Sequence, residues 1–284
     1  MRSHKALVIL GVAVMACTAL AFWGCGDDNN STNWGSPTDP AFIEVDAQVG
    51  EFIDSTLTWF SDGLGSIASL PTDGNVDPVQ YGPGDPGATT DSLSVAYNGG
   101  WHVIHLEYHA ANGYAAWVHD SVQFVVDGQP SQQPDSLDQL QYRHRWSWTA
   151  PDTTVTFRDL NGHNAFSYAG LQTNQATVNG SNTVMSRSKY VSQDSVVSRN
   201  ITVEGTLNNF KIDKTPSGWA QGCPASGSAT ATATMTYQKD DGAPVISTWT
   251  FTLSFNHGMV SATAESNGRT WNYTRRECYA PTSD

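Results

Sequence analysis

Charge is scarce in this sequence. Asp, Glu, Lys and Arg make up 14% of its 284 residues, against about 25% in an average soluble protein. That excludes a charged coiled coil and the strongly charged type of disordered chain. Positive charge is scarcer still: 14 Lys and Arg face 27 Asp and Glu, a formal net charge of -13. Phosphate backbones are gripped by clustered cations, so the composition argues against a nucleic-acid partner. Three chemical signatures are missing as well. There is no Gly-x-Ser-x-Gly turn to expose a nucleophilic serine, no His-Glu-x-x-His, and no Gly-rich phosphate loop. No cofactor is expected.

Turn formers and aromatics are plentiful. Gly 25, Pro 13, Trp 10, Tyr 10 and Phe 10 suit a β-rich secreted protein with many turns.

The N-terminus has its own character. Arg2, His4 and Lys5 precede an apolar run from Ala6 to Trp23, and the chain then turns polar at Cys25-Gly26-Asp27-Asp28. A basic start and a short apolar segment read as a signal peptide over residues 1–24. The same run would barely span a bilayer as an uncleaved anchor helix. Ala21-Phe22-Trp23-Gly24-Cys25 resembles a bacterial lipobox, with a small residue directly before a cysteine. A second such box, Val14-Met15-Ala16-Cys17, lies inside the apolar core with no polar sequence after it. The chain thus resembles a bacterial lipoprotein precursor. The resemblance implies lipid on the Cys25 thiol, loss of residues 1–24, and attachment to a membrane of the bacterial cell envelope. Gly26 in place of an acid after the cysteine implies outer-membrane sorting.

Cleavage would remove Arg2 and Lys5 but no acid, leaving 12 cations against 27 acids. It would also discard Cys17, leaving Cys223 and Cys278 unmodified. In an oxidising compartment such a pair is expected to form one disulfide. Its loop of roughly 55 residues would contribute about 4 kcal/mol in the chain-entropy account.

Residues 25–38 carry almost no apolar content and read as a lipidated flexible tether. A single β-rich domain is expected over 39–284. It opens with Asp39-Pro40, a helix start. Phe42, Val45, Val49, Phe52, Ile53, Leu57 and Phe60 then recur at steps of three and four, which predicts an amphipathic helix over 40–61. Its polar face holds Glu44, Asp46, Glu51 and Asp54 rather than cations, so core packing is favoured over a membrane surface. Residues 71–91 are dense in Pro and Gly and read as a long irregular loop.

Beyond Asp91 the apolar period is mostly two. Asn98-Gly99-Gly100, Asn112-Gly113, Asp127-Gly128, Asn161-Gly162, Asn179-Gly180, Asp241-Gly242 and Asn267-Gly268 mark turns between strands. Strands joined by tight turns pair antiparallel, and no interleaved helices supply parallel crossovers. The expected fold is all-β, mainly antiparallel: a large meander curling into a barrel, half-barrel or sandwich, with the N-terminal helix packed on it. A helix over a curled sheet resembles, in architecture alone, the periplasmic carriers that hold an acyl chain in a half-barrel.

Two clusters are candidate sites. His105, Glu107 and His109 share one face of a predicted strand. Imidazole and carboxylate are zinc ligands, but three residues at i, i+2 and i+4 span roughly 13 Å, so an ion would take two of them plus a neighbour such as His119 or His144. Tyr142, Trp146 and Trp148 share another strand face, in phase with His144. They would line an apolar cavity, a flat sugar-stacking face, or the core under the helix.

The expected function is a non-catalytic binding or structural module of the envelope, its partner a small apolar ligand, a glycan or an envelope protein. The alternatives are an envelope-polymer hydrolase using carboxylates that no pattern singles out, or a metal-binding protein using His105, Glu107 and His109. The lipid anchor has a direct test. Cys25→Ala is expected to release the protein from membranes in a cell fractionation; retention with residues 1–24 intact would identify an uncleaved helix instead.

Overall fold

The computed structural model describes residues 42–50, 88–110, 115–132, 136–151, 156–191, 195–215, 218–219, 224–257 and 259–275. Residues 42–50 form helix α1. Among the described residues thirteen strands follow: β1 (Ala88–Asn98), β2 (Trp101–Ala110), β3 (Ala115–Val126), β4 (Gln129–Ser131), β5 (Gln139–Pro151), β6 (Thr156–Ala169), β7 (Gln175–Val191), β8 (Val196–Thr215), β9 (Gly218–Trp219), β10 (Ser226–Lys239), β11 (Val245–Asn256), β12 (Met259–Ser266) and β13 (Arg269–Arg275). They pair antiparallel in the order β1-β2-β3-β5-β6-β7-β8-β10-β11-β12-β13, with β4 added to β3 and β9 to β8. Neighbours in space are neighbours in sequence, as a meander requires. The sheet does not close: β1 and β13 end the path. Of the three expected outlines, the closed barrel is not formed, and the open sheet accords with a half-barrel or sandwich.

Alternation produces two faces. On β11, Ser247, Trp249, Phe251, Leu253 and Phe255 are buried while their neighbours are exposed. On β10, Ala229, Ala231, Ala233 and Met235 lie on that same inner face, with the threonines outside. Helix α1 covers the inner face. Phe42, Val45 and Val49 are buried in the core, in the i, i+3, i+7 pattern of a one-sided helix. The Phe42 ring lies 5.3 Å from Trp249 and 5.6 Å from Tyr273, edge-on to both. Glu44 reaches Arg199 on β8 at 3.4 Å, and Asp46 accepts a 2.6 Å hydrogen bond from the Tyr273 hydroxyl on β13. The helix therefore straddles the sheet from β8 to β13. Residues 40–41 and 51–61 of the predicted helix, the expected signal peptide 1–24 and tether 25–38, residues 71–87 of the expected loop, and all four cysteines lie outside the described residues.

Three expectations are corrected. Asn161-Gly162 is no turn: β6 runs straight through it. A Cβ on Gly162 would sit 3.0 Å from the Trp146 ring and 2.8 Å from the Thr183 carbonyl, so this glycine makes room for an indole. Asn179-Gly180 is no turn either, because β7 passes through it. A Cβ there would fall 2.3 Å from Phe166 Cδ1 and from the Ala165 carbonyl oxygen. The β6–β7 connection forms instead at Gly170, in a left-handed conformation at φ 76°, where the Thr173 amide donates to the Gly170 carbonyl. Finally, residues 88–91 of the expected 71–91 loop belong to β1. A register shift between Thr90 and Ser92 breaks the two-residue period there and hides the strand's beginning.

Asn98-Gly99-Gly100, Asp127-Gly128 and Asn267-Gly268 do turn the chain, and each sequence contains residues at positive φ. The helix contact is open to test. Phe42→Ala is expected to destabilise the protein by about 3–5 kcal/mol, measured as a lowered urea midpoint at unchanged slope.

Candidate functional site

On the inner face one rung of the sheet is polar. Register places Asp120 of β3 opposite His144 of β5, His144 opposite Asn164 of β6, and Asn164 opposite Asn182 of β7. The rungs on either side are largely apolar: Val122, Tyr142 and Phe166 on one, Val118, Trp146, Gly162 and Val184 on the other. Along the same rung, β2 contributes Ile104 and β8 contributes Gly205, so the polar stretch is confined to β3–β7.

Within the row, the first two members satisfy each other. His144 Nδ1 donates to Asp120 Oδ1 at 2.5 Å, and the Tyr142 hydroxyl donates to the same oxygen at 3.0 Å. The Tyr142 and His144 rings are stacked with centroids 5.9 Å apart. A carboxylate that accepts from Nδ1 fixes the tautomer and leaves Nε2 as the ring nitrogen for a second partner. The other two members are not satisfied. The Oδ1 atoms of Asn164 and Asn182 are buried without a hydrogen-bond partner, and Asn182 as a whole is only 3% exposed. An acceptor in that condition costs about 1–3 kcal/mol. Trp249 Nε1 and Ser247 Oγ on β11 share the condition, but they lie away from the row. Two unpaired amide oxygens beside an ordered Asp–His pair depart from the surrounding apolar pattern, and such departures concentrate at functional sites.

The aromatic candidates flank this row. Tyr142 and Trp146 are buried on the inner face of β5, and Trp148, in the same phase, is half-buried. Sequence phase alone grouped them with His144. It missed Asp120, Asn164 and Asn182, because a polar residue in the buried phase of one strand looks accidental until register aligns it with the next.

The metal candidates sit on the opposite, outer face. His105 Nε2 is 3.1 Å from Glu107 Oε1, and its ring meets that of His119 on β3 with centroids 5.8 Å apart. His109 is exposed farther along β2. Among the described residues, no group of three or more His, Cys, Asp or Glu is arranged to hold a metal ion.

At one end of the inner face, His102 is buried at 5% exposure between Tyr97 and Phe124, with ring centroids 4.8 and 5.0 Å away. Its Nε2 donates to the Gln132 carbonyl at 3.0 Å. Burial pushes its pKa below the ordinary 6.5, and the carbonyl contact opposes that only in part.

The chain matches no protein-family description, no curated protein and no solved structure.

The His102 geometry predicts a pH dependence of stability. The unfolded chain takes up this proton more readily than the folded one, so the group's contribution is complete above about pH 6.5 and declines as the pH falls below it. His102→Gln is expected to flatten the fall in urea midpoint across that acidic range; an unchanged slope would place the effect elsewhere.

Proposed function

We propose that this chain is a lipid-anchored protein of the bacterial cell envelope, carried on Cys25 and sorted to the outer membrane, and that it is a non-catalytic binding module. Its ligand is small and largely apolar with a hydrogen-donating polar end. The lipobox-like N-terminus supports the first part, and the missing catalytic signatures support the non-catalytic reading. The observation that carries the second is the inner rung itself: Asn164 and Asn182 hold buried amide oxygens without donors, in an aromatic surround formed by Tyr142, Trp146 and Phe166. An apolar setting with a few convergent polar groups is the usual make-up of a small-ligand site. Ligand donors facing those oxygens would satisfy them and orient the apolar part along the aromatics. A Cys223–Cys278 disulfide belongs to the same proposal and would brace the C-terminal strands in an oxidising compartment.

A second reading, an envelope-polymer hydrolase, is favoured by one observation. Asp120 and His144 form an oriented carboxylate–imidazole pair of the kind that moves protons in hydrolases. The two readings separate at Asn182. If the amide serves a ligand, Asn182→Leu removes a recognition group and also an unpaired buried acceptor. The variant is expected to be more stable than the parent, by about 1–3 kcal/mol, and to carry none of the amphipathic molecule that native mass spectrometry is expected to detect on the parent. Co-purification of nothing with the parent, together with loss of stability in the variant, would overturn the reading.

A further inference from the structure

The scarcity of cations in the whole chain conceals an uneven distribution. Before residue 92 there are two Lys or Arg and twelve Asp or Glu; from residue 92 onward there are twelve and fifteen. Most of the net negative charge therefore belongs to the N-terminal third, and the sheet-forming part is close to neutral.

On the outer face the register gathers cationic and imidazole groups. His105 of β2 lies opposite His119 of β3, His119 opposite Arg145 of β5, and Arg145 opposite His163 of β6. Arg143 precedes Arg145 on the same face and is exposed. Its guanidinium stacks 4.4 Å over the Trp101 ring, which holds the planar fork in place without neutralising it. Among the described residues neither arginine forms an ion pair. The acid at the edge of this patch, Glu107, is engaged by His105 at one oxygen.

The patch also has a recess. Beside Arg143 there is a shallow, open depression of about 290 Å³. Gln141, Arg143, Ser167 and Asn179 stand around it, over a floor at Ala165 and Gly180. Ala165 brings only a methyl group to that floor. Its volume lies at or below the lower limit for small-molecule sites, and its openness suits one unit of an extended polymer. Farther along the outer face, Trp117 of β3 stands opposite Ser147 and is 40% exposed, with a flat ring available for stacking.

We propose that the outer face of β2–β7 is a docking surface for an anionic glycan, with Arg143 and Arg145 receiving its acidic groups, Gln141, Ser167 and Asn179 its hydroxyls, and Trp117 a sugar face. Two arginines interleaved with amides and hydroxyls match a polymer whose charges are separated by hydroxyl-bearing rings. They are few for a nucleic acid, whose binding rests on many phosphate contacts. A bilayer surface would call for a continuous apolar face beside the cations, where this face carries polar side chains.

The test uses the detergent-solubilised full chain and four probes: heparin as a sulfated glycan, dextran as a neutral one, a single-stranded DNA oligonucleotide, and phosphatidylglycerol vesicles. Heparin is expected to bind in a salt-sensitive manner and dextran not to bind. The double variant Arg143→Ser/Arg145→Ser is expected to weaken heparin binding at least tenfold, and Arg269→Ser, at the distant β12–β13 hairpin, to leave it unchanged. Arg143→Lys/Arg145→Lys preserves charge and is expected to retain most binding. If the serine variant melts early, Trp117→Ala at its exposed site carries the test, with a several-fold loss expected. Absence of heparin binding, or indifference of heparin binding to the variants that fold, would overturn the proposal. Tighter binding to DNA or to vesicles than to heparin would also overturn it and assign the patch to that partner.

Discussion

Cross-strand register is the constraint on which both faces of this protein depend. Side chains alternate along every strand, so a slip of one residue would carry a whole strand's inner set to the outside. The order of strands follows the order of the chain, and tight turns at 99–100, 127–128 and 267–268 help to set the pairing. Two glycines strengthen that setting from within the sheet. Gly162 admits the Trp146 ring, and Gly180 admits Phe166. With any larger residue at either point, backbone or ring would have to move. The aromatic core under α1 and the polar rung beside it are consequences of one pairing scheme.

The inner face shows a competition between stability and specificity. Most of it is packed as a core: Phe42, Trp249, Phe251 and Leu253 are buried together, and burying such side chains contributes about 1.5–3 kcal/mol each. Asp120, His144, Asn164 and Asn182 interrupt that surface. The Asp–His pair balances its burial through its own hydrogen bonds, while the two amides leave theirs unmade. An apolar row would have stabilised the sheet more. Retaining amides there has a physical rationale if their oxygens meet donors in the bound state, and that is why the rung carries the functional reading.

Much of the architecture was legible in the residues, and the reasons are local. The alternation of Ala229 to Met235 and of Trp249 to Phe255 identifies two strands and their buried sides. Phe42, Val45 and Val49 identify a helix face. Asn-Gly and Asp-Gly pairs mark turns where positive φ is needed, as at Asp127-Gly128 and Asn267-Gly268. The same signal misleads at Asn161-Gly162 and Asn179-Gly180, because glycine serves two physical purposes. It permits left-handed backbone, and it permits close approach; sequence alone does not say which. The candidate site was half legible. Tyr142, His144 and Trp146 share a phase within one strand, but Asp120, Asn164 and Asn182 become a row only across strands.

The sequence by itself determined the class of fold, the helix and the alternating faces, since each is written in neighbours a few residues apart. Tertiary structure alone decided that the sheet stays open, that four polar residues from four strands form one rung, and that Arg143, Arg145, His119 and His163 gather on one face. Those contacts join positions 18 to 62 residues apart, as from Asp120 to Asn182 and from Arg145 to His163. No local pattern encodes them, because they arise only when hydrogen-bonded register brings distant strands about 4.8 Å apart. The net charge of -13 is the clearest case: a sum over the chain says how much charge there is, and folding says where it meets a partner.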